Sequence, residues 1–409
     1  MNCTIHPGLL SGDIRAITSK SAAHRALICA ALADGVSRLR IDDTNKDILC
    51  TCRCLESLGA RIEIDAEIMT VHPIGAASVE GTPLLDCGES GSTLRFMLPV
   101  AASLRNKTAF DGHGRLPERP LSDLTEQMKH HKCAFSAEKL PFAVTGKLTG
   151  GRFSIAGNVS SQYITGLLLA APQIGEEVEI LLTSPLESAS YVELTTNIML
   201  EFGVVVEKTE NGFRVPAGSR YRAPEHFDVE GDWSNAAFFH TAAYLGGEVR
   251  VSGLREDSAQ GDRKILPILE QMKQSTSDLT VDVSDIPDLV PILSVAAAFR
   301  EDGCKTVFAN AARLRLKESD RLLSTETLIR ALGGQAESTE DTLSVCGGGL
   351  RGGSVDSFND HRIVMAAAVA ATACRVPVTI VGAEAYEKSY PKFAEHFEQL
   401  GGKIHVELR

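Results

Sequence analysis

Hydrophobic and polar positions recur along the chain in one order, which predicts about six similar segments. Each segment opens with a helix rich in small apolar residues, then a turn and a β-rich run, as in A-A-L-A-D-G-V-S-R-L-R-I from Ala30 and A-A-Y-L-G-G-E-V-R-V from Ala242. An amphipathic helix and another β-rich run follow. In four copies this helix closes on Leu-Gly or Phe-Gly, namely those starting at Leu55, Met199, Ile329 and Phe397. Glycine at that position supplies the left-handed residue that ends a helix.

Two weaker copies of the amphipathic helix, from Leu124 and Ile268, lack the glycine. The repeat is roughly seventy residues long, so the sequence predicts an α/β protein of six units, each with two helices and several strands. Because a domain usually holds about 100–200 residues, we expect two domains of three units. We place one domain at residues 1–18 plus 230–409 and an inserted domain at residues 19–229, so that the first strand belongs with the C-terminal half.

Composition and charge limit the classes of function. Hydrophobic residues make up 44% of the 409 residues, which is enough for large folded cores. The formal net charge of -12 argues against nucleic acid and anionic membranes as partners, since both attract basic surfaces. We find no signal-peptide pattern and no apolar stretch of the roughly 20 residues that span a bilayer. We therefore expect a soluble, cytoplasmic protein that acts on small molecules. We also expect it to be a monomer.

Ten cysteines are scattered along the chain without paired spacing. Cys50, Cys52 and Cys54 form the one dense group, and Cys50 and Cys54 would share a helix face. No further cysteine pair and no nearby histidine accompany them, so zinc is the weaker interpretation and buried, reduced thiols are the stronger. The sequence predicts no metal site.

Several polar segments of the first half are candidates for binding anions. In T-S-K-S-A-A-H-R-A-L, Lys20 and Arg25 lie at the start of an apolar helix that Ser21 can cap, where unpaired N–H groups and the helix dipole favour anions. The alternative is a solvated helix start with incidental basic residues. In C-G-E-S-G-S-T-L-R, the small residues around Gly91 let backbone N–H groups approach a phosphate, although the G-K-[ST] of a Walker loop is missing.

Two further groups complete the first half. Arg115 and Arg119 of G-R-L-P-E-R-P offer planar sets of donors that suit carboxylate or phosphate. The polar side chains of S-S-Q-Y and S-A-S-Y either cap a helix or bind a ligand, and capping is the simpler interpretation. They are Ser160, Ser161, Gln162, Ser188 and Tyr191.

The second half places single charged residues beside very apolar runs. Asp288 precedes a nearly unbroken apolar run, where its carboxylate either caps a helix or serves as a base with a shifted pKa. Arg362 of F-N-D-H-R starts another apolar helix, and solubility does not explain a charge at that position. Lys388 follows in E-K-S-Y-P.

The segment L-R-L-K-E-S-D-R is the densest group of charges in the second half. It packs Lys317, Glu318, Asp320 and Arg321 into five positions. Taken alone, the segment is typical of a solvated, charged helix face. Its position among the other basic segments favours a site for anionic, phosphorylated substrates instead.

These segments follow the order K-S-x-x-x-R, G-x-S-G-S-x-x-R, R-x-x-x-R-P, S-S-Q, G-D-x-S-x-A, I-P-D, L-R-x-K-E-S-D-R, N-D-H-R and K-S-x-P. From about Ser11 to about Leu400, this order resembles the 5-enolpyruvylshikimate-3-phosphate synthase family. The resemblance implies two domains, each of three βαβαββ units around a pseudo-threefold axis (an inside-out α/β barrel), with the active site in the cleft between them. It also implies transfer of the carboxyvinyl group of phosphoenolpyruvate to the 5-hydroxyl of shikimate 3-phosphate, with release of phosphate and without metal or organic cofactor.

The resemblance also assigns residues to each substrate. Shikimate 3-phosphate would be bound by Lys20, Ser21, Arg25, Ser160, Ser161, Gln162, Ser188, Asp288 and Lys317. Phosphoenolpyruvate would be bound by Lys20, Gly91, Arg115, Gln162, Arg321, Arg362 and Lys388. As catalytic residues, Asp288 would accept the hydroxyl proton, Glu318 would exchange a proton with the methylene group, and Lys20 or Lys388 would assist on the phosphate side. Both substrates are multiply anionic, so basic groups are the type of residue that positions them.

Four positions depart from the family pattern. Thr18 replaces a glycine, His24 replaces an asparagine, and Arg313 stands where some relatives use asparagine. Glu89 also stands where asparagine is usual. A carboxylate beside an anion site is expected to weaken phosphoenolpyruvate binding unless a cation such as Arg95 pairs with it.

Two alternatives stay open on the sequence. The UDP-N-acetylglucosamine enolpyruvyl transferases share the fold, but they begin with K-N and carry a mobile-loop cysteine, whereas a serine follows Lys20 and residues 112–119 contain no cysteine. The other alternative is a decayed paralogue kept for binding. The joint presence of Lys20, Asp288, Glu318 and Lys388 argues against that alternative.

Overall fold

The computed structural model describes residues 1–75 and 81–407, which fall into two compact units. Residues Met1–Ile17 and Glu230–Arg409 form one unit, called the terminal unit below. Residues Thr18–Val229 form the other, called the inserted unit. The chain therefore leaves the terminal unit after β2 and returns to it before α7.

The secondary structure follows one order throughout the chain. Up to residue 75 the elements are β1 (Asn2–His6), β2 (Ser11–Arg15), α1 (Lys20–Ala31), β3 (Ser37–Arg40), α2 (Lys46–Ser57), β4 (Arg61–Asp65) and β5 (Ile68–His72). The rest of the inserted unit contains β6 (Leu84–Asp86), α3 (Gly91–Leu104), β7 (Lys107–Asp111), α4 (Ser122–His130), β8 (Ala134–Phe135), β9 (Phe142–Thr145), β10 (Gly151–Ile155), α5 (Ser161–Ile174), β11 (Val178–Leu182), α6 (Ala189–Glu201), β12 (Glu207–Thr209), β13 (Gly212–Val215) and β14 (His226–Asp228).

The terminal unit continues this alternation of helices and strands. Its elements after β14 are α7 (Trp233–Tyr244), β15 (Glu248–Ser252), α8 (Ile265–Gln274), β16 (Leu279–Asp282), α9 (Val290–Ala298), β17 (Lys305–Ala309), α10 (Arg321–Ala331), β18 (Gln335–Ser338), β19 (Leu343–Cys346), β20 (Gly353–Asp356), α11 (His361–Ala373), β21 (Val378–Val381), α12 (Phe393–Gln399) and β22 (Lys403–Glu407). Short 3-10 helices cover Leu116–Glu118, Gly261–Lys264, Pro287–Leu289, Ala312–Leu316 and Ala383–Lys388.

Four-stranded sheets repeat the same pairing. In the order β6-β7-β9-β8, the first two strands are parallel, the next pair is antiparallel, and the last pair is an antiparallel hairpin. The sheets β10-β11-β13-β12 and β16-β17-β19-β18 have the same arrangement. Each corresponds to one βαβαββ segment of the sequence, because helices connect the first strand to the second and the second to the third. The predicted α/β repeat is confirmed.

Three sheets take strands from distant parts of the chain. The first strand, β1, lies between β21 and β22 and completes the last sheet. In the inserted unit β14 pairs with β3, and in the terminal unit β15 pairs with β2, both in parallel. The β15-β2 sheet has two strands within the described residues, because α8 leads almost directly to β16 and no hairpin intervenes. This shortened segment contains the weak repeat copy at Ile268.

Glycines end the amphipathic helices where the repeat predicts them. Gly59, Gly203, Gly333 and Gly401 follow α2, α6, α10 and α12, and their φ angles lie between 79° and 110°. In this left-handed region a side chain costs free energy, so glycine is favoured. Where the glycine is missing after α4, Lys132 adopts a φ of 71°.

In each unit the helices richest in small apolar residues form the core. In the inserted unit these are α1, α3 and α5, and in the terminal unit α7, α9 and α11. Of α11, twelve consecutive residues from His361 to Thr372 are buried. Such complete burial removes the amphipathic pattern and leaves only the helix ends for polar chemistry. Of the candidate site residues, Arg25, Gly91 and Ser161 lie in the first two turns of these helices, whereas Arg321 starts α10 and Ser188 precedes α6.

Candidate active site

The charge pattern of the segment L-R-L-K-E-S-D-R alone indicated a solvated helix face. The structure shows otherwise. Ala312–Leu316 is a 3-10 helix, and α10 begins only at Arg321. Asp320 is the N-cap of α10, with its carboxylate accepting the Leu323 N–H at 3.1 Å. Residues 317–320 separate these two helices, and the side chain of Arg321 at the start of α10 is only 1% exposed.

Arg321 is the centre of a buried ion-pair network. Its Nε lies 2.9 Å from Asp360, its Nη1 lies 2.8 Å from Asp288, and its Nη2 lies 2.5 Å from Glu318. Burial lowers the pKa of Arg321, but these three carboxylates together raise it above the ordinary value. For Asp360, burial alone would raise the pKa, but the positive charge of Arg321 outweighs this effect and keeps the pKa below its ordinary value. Both groups therefore stay charged, and the guanidinium is fixed in one orientation.

Asp288 brings three cations together. Besides Arg321, its carboxylate contacts Arg362 Nη2 at 3.0 Å and Lys317 Nζ at 3.5 Å. Of the two interpretations left open for Asp288, the helix cap is excluded, because Asp288 lies within the 3-10 helix Pro287–Leu289 and α9 has no side-chain cap. Burial lowers the pKa of Lys317 and outweighs the opposing effect of Asp288. The three cations Arg321, Arg362 and Lys317 are balanced in formal charge by Asp288, Glu318 and Asp360, so an anionic ligand would compete with Asp288 for Lys317 and Arg362.

A further carboxyl group, Asp262, is buried close to Asp288 and Arg362. Burial raises its pKa to about 7, and the negative charge of Asp288 adds to the increase, whereas Arg362 opposes it. Its Oδ1 has no hydrogen-bond partner within residues 1–75 and 81–407. A buried carboxyl group beside a carboxylate is protonated more readily than one in water.

We expect the stability of the protein to depend on Asp262 in a pH-dependent way. The folded state holds this proton more tightly than the unfolded state does, so the contribution of Asp262 to stability is lost as the pH rises from 3.8 through about 7. The substitution Asp262→Asn removes this titration. The urea midpoint of the wild type should therefore fall, relative to that of the variant, when the pH is raised from about 5 to about 8.5.

The neighbouring Asp257→Asn provides the control for this measurement. Asp257 is exposed, and its ion pair with Arg255 lowers its pKa, so it does not titrate in that range. Its difference from the wild type should be the same at both pH values. An equally flat difference for Asp262→Asn would contradict the assigned titration.

Three further residues of the terminal unit lie near the ends of its helices. Lys388 Nζ donates to the Asn359 carbonyl at 2.9 Å, immediately before α11. Arg315 pairs with Asp320 at 2.7 Å, so this carboxylate orients Arg315 as well as capping α10. Arg313 Nη2 donates to the Ser284 carbonyl at 2.6 Å.

In the inserted unit, Lys20 lies at the first position of α1. Its Nζ lies 3.1 Å from Asp47 at the start of α2. The expected cap is wrong by two residues, because Ser19 caps the helix by accepting the Ala22 N–H. Ser21 is instead half-buried in the first turn. Both ends of the Lys20–Asp47 pair are partly exposed, which leaves the lysine accessible to a ligand.

Arg25 is buried one turn further along α1. Its Nε donates to Thr195 Oγ1 at 2.7 Å, and its other nitrogens reach the carbonyls of Ser21 and Tyr191 at 2.6 and 3.1 Å. Thr165 is also within 3.4 Å. Burial lowers the pKa of Arg25 to about 10. The guanidinium is therefore still charged at neutral pH and is held by α5 and α6 as well as its own helix.

Two guanidinium groups converge on the N-terminus of α3. A Cβ atom at Gly91, the first residue of the helix, would lie 2.6 Å from Arg119 Nη1 and 2.7 Å from Arg95 Nη1. Ser90 caps this helix through the Thr93 N–H. Backbone N–H groups and two arginines at one helix start form a favourable anion site. Glu89 precedes Ser90, and its carboxylate packs against Gly114. A Cβ atom added at Gly114 would lie 2.7 Å from a carboxylate oxygen of Glu89.

Gln162 links this helix start to α5. Its side-chain carbonyl accepts from Arg95 Nη1 at 2.8 Å, and its amide donates to Ser92 at 2.9 Å. Ser160 caps α5 through the Gln162 N–H, as expected for S-S-Q-Y, and Ser161 is buried in the first turn.

Three candidate residues of the inserted unit lie in other surroundings. Arg115 is exposed and approaches Glu118 at 3.9 Å. Ser188, at the start of α6, is buried with a φ of 53°, a strained conformation for a residue other than glycine. Thr18 takes the place of the family glycine, and its Oγ1 and N both donate to Asp42, at 2.5 and 2.7 Å.

The structure also describes the surroundings of the cysteines and the lengths of the helices, which concern the expected buried thiols and the membrane spans. Cys50, Cys52 and Cys54 are buried on α2, and burial raises the pKa of Cys50 to about 11 and that of Cys52 to about 12. Within the described residues, no group of three or more His, Cys, Asp and Glu side chains is arranged to hold a metal ion. In the same part of the chain, every helix is too short or too polar to cross a bilayer.

Comparison with known proteins decides the family. The sequence pattern of the family described as EPSP synthase (3-phosphoshikimate 1-carboxyvinyltransferase) matches residues 6–397. The chain belongs to the EPSP synthase family. It is 40% identical to the 3-phosphoshikimate 1-carboxyvinyltransferase of Clostridium acetobutylicum over 99% of each chain. It is 37% identical to the enzyme of the same name from Clostridioides difficile, over 98% of this chain and 97% of that one.

Solved structures agree on the fold of the EPSP synthase family. An EPSP synthase from Acinetobacter baumannii superposes with a TM-score of 0.82, covers the whole of both chains and is 24% identical. At this identity the superposition shows the fold alone.

Sequence reasoning missed several residues that lie beside the EPSP synthase motifs. They are Asp47, Thr165, Thr195, Asp262 and Asp360. Asp360 lies within the quoted N-D-H-R motif and immediately before an apolar helix, so its position as an N-cap was detectable. For the others no local pattern points to a role, because their partners are distant in sequence.

Proposed function

We propose that this protein is a 3-phosphoshikimate 1-carboxyvinyltransferase, which transfers the carboxyvinyl group of phosphoenolpyruvate to the 5-hydroxyl of shikimate 3-phosphate. The observation that carries the proposal is the Arg321 network. A family-specific motif places one buried arginine, two further cations and two candidate proton-transfer carboxylates around a single point. Such an arrangement serves reactions in which anions must be held while protons move.

The basic residues of both units are assigned to the two substrates as the resemblance implied. For shikimate 3-phosphate, the support is that Arg25 and Lys317 are charged groups held among polar neighbours, and that Ser160 and Ser161 start a helix. For phosphoenolpyruvate, the support is that the guanidinium groups of Arg95 and Arg119 converge on Gly91. Cations that are already oriented lose little entropy on binding, so they position both anions at low cost.

The reaction requires two opposite proton movements. In the addition step, the 5-hydroxyl oxygen bonds to C2 of phosphoenolpyruvate and loses its proton, while the methylene carbon gains one, giving a tetrahedral ketal phosphate. In the elimination step the resulting methyl group loses a proton, the bond from C2 to the phosphate oxygen breaks, and phosphate leaves. We assign the hydroxyl proton to Asp288 and the methylene proton to Glu318, with Lys20 or Lys388 neutralising the leaving phosphate.

Phosphate release tests the acceptor. The wild-type protein should release phosphate from phosphoenolpyruvate when shikimate 3-phosphate is present, and should not do so with UDP-N-acetylglucosamine. Release with the UDP-sugar alone would assign the protein to the sister transferases, and no release with either acceptor would leave a binding protein.

The substitution Gly91→Ala should raise the KM for phosphoenolpyruvate about tenfold or more, with little change in stability. The new methyl group would meet the ends of the Arg95 and Arg119 side chains, which can move away from the anion site without unfolding the helix. Gly35→Ala is the control, because its Cβ would meet only Ala223 at an ordinary 3.4 Å. An unchanged KM in Gly91→Ala would remove this glycine from the phosphoenolpyruvate site.

A further inference from the structure

A buried chain of hydrogen bonds joins three helices of the inserted unit. His24 Nδ1 on α1 lies 2.7 Å from Thr51 Oγ1 on α2, and Thr51 Oγ1 lies 2.8 Å from Thr93 Oγ1 on α3. Thr93 Oγ1 donates to Ser90 Oγ at 2.8 Å. All four side chains are buried, with His24, Thr51 and Thr93 at 0% exposure. The chain thus runs from the middle of α1 to the N-cap of α3.

The direction of donation follows from the number of hydrogens. A threonine hydroxyl has one hydrogen, and that of Thr93 is directed at Ser90 Oγ at 2.8 Å or at the more distant Asp47 carbonyl at 3.4 Å, in either case away from Thr51. Thr51 is therefore the donor to Thr93, and the Nδ1–H group of His24 is the donor to Thr51. The remaining ring nitrogen of His24, Nε2, has no hydrogen-bond partner within residues 1–75 and 81–407. A neutral imidazole with its hydrogen on Nδ1 satisfies the whole chain.

Burial, with the neighbouring positive charges, keeps His24 neutral. Burial lowers the pKa of His24 well below its ordinary value, and Lys20 and Arg25 on the same helix lower it further. The ring also packs edge-on against Phe96 of α3, with 6.3 Å between ring centroids. His24 is therefore a fixed donor and not a titrating group, as a residue that transmits position requires.

Arg25, the next residue, belongs to a separate chain. Arg25 donates to Thr195 Oγ1, and Thr195 Oγ1 lies 2.9 Å from Thr165 Oγ1. The Thr195 hydroxyl itself donates to the Tyr191 carbonyl at 2.8 Å. This second chain reaches α5 and α6, whereas the chain from His24 reaches α2 and α3. Two adjacent residues of α1 thus contact different pairs of helices.

We propose that His24, Thr51, Thr93 and Ser90 form a positioning network that sets the N-terminus of α3 for phosphoenolpyruvate, while the Arg25–Thr195 chain serves shikimate 3-phosphate. The inference rests on the proposed function and adds to it a division of labour between the two chains. The His24 network ends on the residue immediately before Gly91, where two guanidinium groups converge. Moving this cap moves the N–H groups and the anion site that they form.

Two matched substitutions separate the chains. Thr51→Val and Thr195→Val each replace one buried hydroxyl by a methyl group of the same shape; Thr195→Val should lose more stability, because it removes an acceptor of the buried Arg25 guanidinium. Thr51→Val should raise the KM for phosphoenolpyruvate about fivefold to tenfold, the size expected for one buried hydrogen bond, and change the KM for shikimate 3-phosphate less than about twofold. Thr195→Val should do the reverse, and kcat should change little in either variant.

Substitutions of the histidine give an independent measurement. His24→Leu removes the donor and should reproduce the KM pattern of Thr51→Val. His24→Asn places an amide nitrogen near the position of Nδ1, so it should restore the KM for phosphoenolpyruvate to within about twofold of the wild type. Thermal midpoints of all variants show whether each one is folded at the assay temperature.

The proposal is overturned if Thr51→Val and Thr195→Val raise both KM values to the same extent, or if His24→Asn is no better than His24→Leu. Such results would make the chain a structural feature without a substrate of its own. A wild-type protein without turnover would instead count against the proposed function, so the two failures are distinguishable.

Discussion

Arg321→Lys should lower kcat/KM about a thousandfold and destabilise the fold by about 3 kcal/mol. Arginine makes its contacts to Asp288, Glu318 and Asp360 through three different nitrogens, whereas lysine has one. The substitution keeps the positive charge but leaves carboxylate oxygens without their donors, of which Asp360 is fully buried. Steady-state kinetics and urea unfolding measure the two effects.

Arg315→Lys is the control within the same segment. Arg315 and Asp320 are each about one-third exposed, so their pair is screened by water, and its loss should cost less than about 1 kcal/mol. Comparable losses in both variants would mean that the segment tolerates no change at all and that Arg321 has no special position. Full activity of Arg321→Lys would contradict the assigned network.

Asp288→Asn should lower kcat about a hundredfold to ten-thousandfold, because asparagine cannot accept the proton of the 5-hydroxyl group. The amide keeps the shape of the side chain but leaves three cations without their carboxylate, so the KM for the anionic substrates should not rise. This combination of a low kcat and an unchanged or lower KM separates loss of the base from loss of binding.

Two other carboxylates of the motif provide the comparison. Glu318→Gln should also lower kcat, because we assign it the methylene proton; normal turnover of this variant would remove that role. Asp320→Asn should be nearly neutral, since asparagine also caps helices and the pair with Arg315 is partly exposed. A loss of kcat in Asp320→Asn as large as in Asp288→Asn would show that the measurement reports folding and not proton transfer.

The fold was largely predictable because each repeat has a local sequence pattern that predicts its helices and strands. The small-residue helices and the Gly59, Gly203, Gly333 and Gly401 helix ends need no knowledge of tertiary contacts. The two-stranded sheet of β2 and β15 was not predictable, since a missing hairpin leaves no signal beyond the weak copy at Ile268.

The sequence named residues of the candidate site but not their geometry. Motif order named Arg321 and Asp288, but the charge pattern around Arg321 alone favoured a solvated helix face, and Asp288 alone was compatible with a cap or a base. What buries Arg321 is its pairing with Asp360, which lies 39 positions away and meets it only in the folded chain. The Ser19 cap was missed because T-S-K-S offers two serines with equal local preference.

The product of the wild-type reaction tests the central claim most directly. The protein would be incubated with shikimate 3-phosphate and phosphoenolpyruvate labelled with carbon-13 at the reacting carbon, and followed by NMR. We predict that the label appears in an enol ether on the shikimate ring, with one phosphate released for each ether formed. Release of phosphate with the label in pyruvate, or no change in the label while shikimate 3-phosphate is present, would contradict the account.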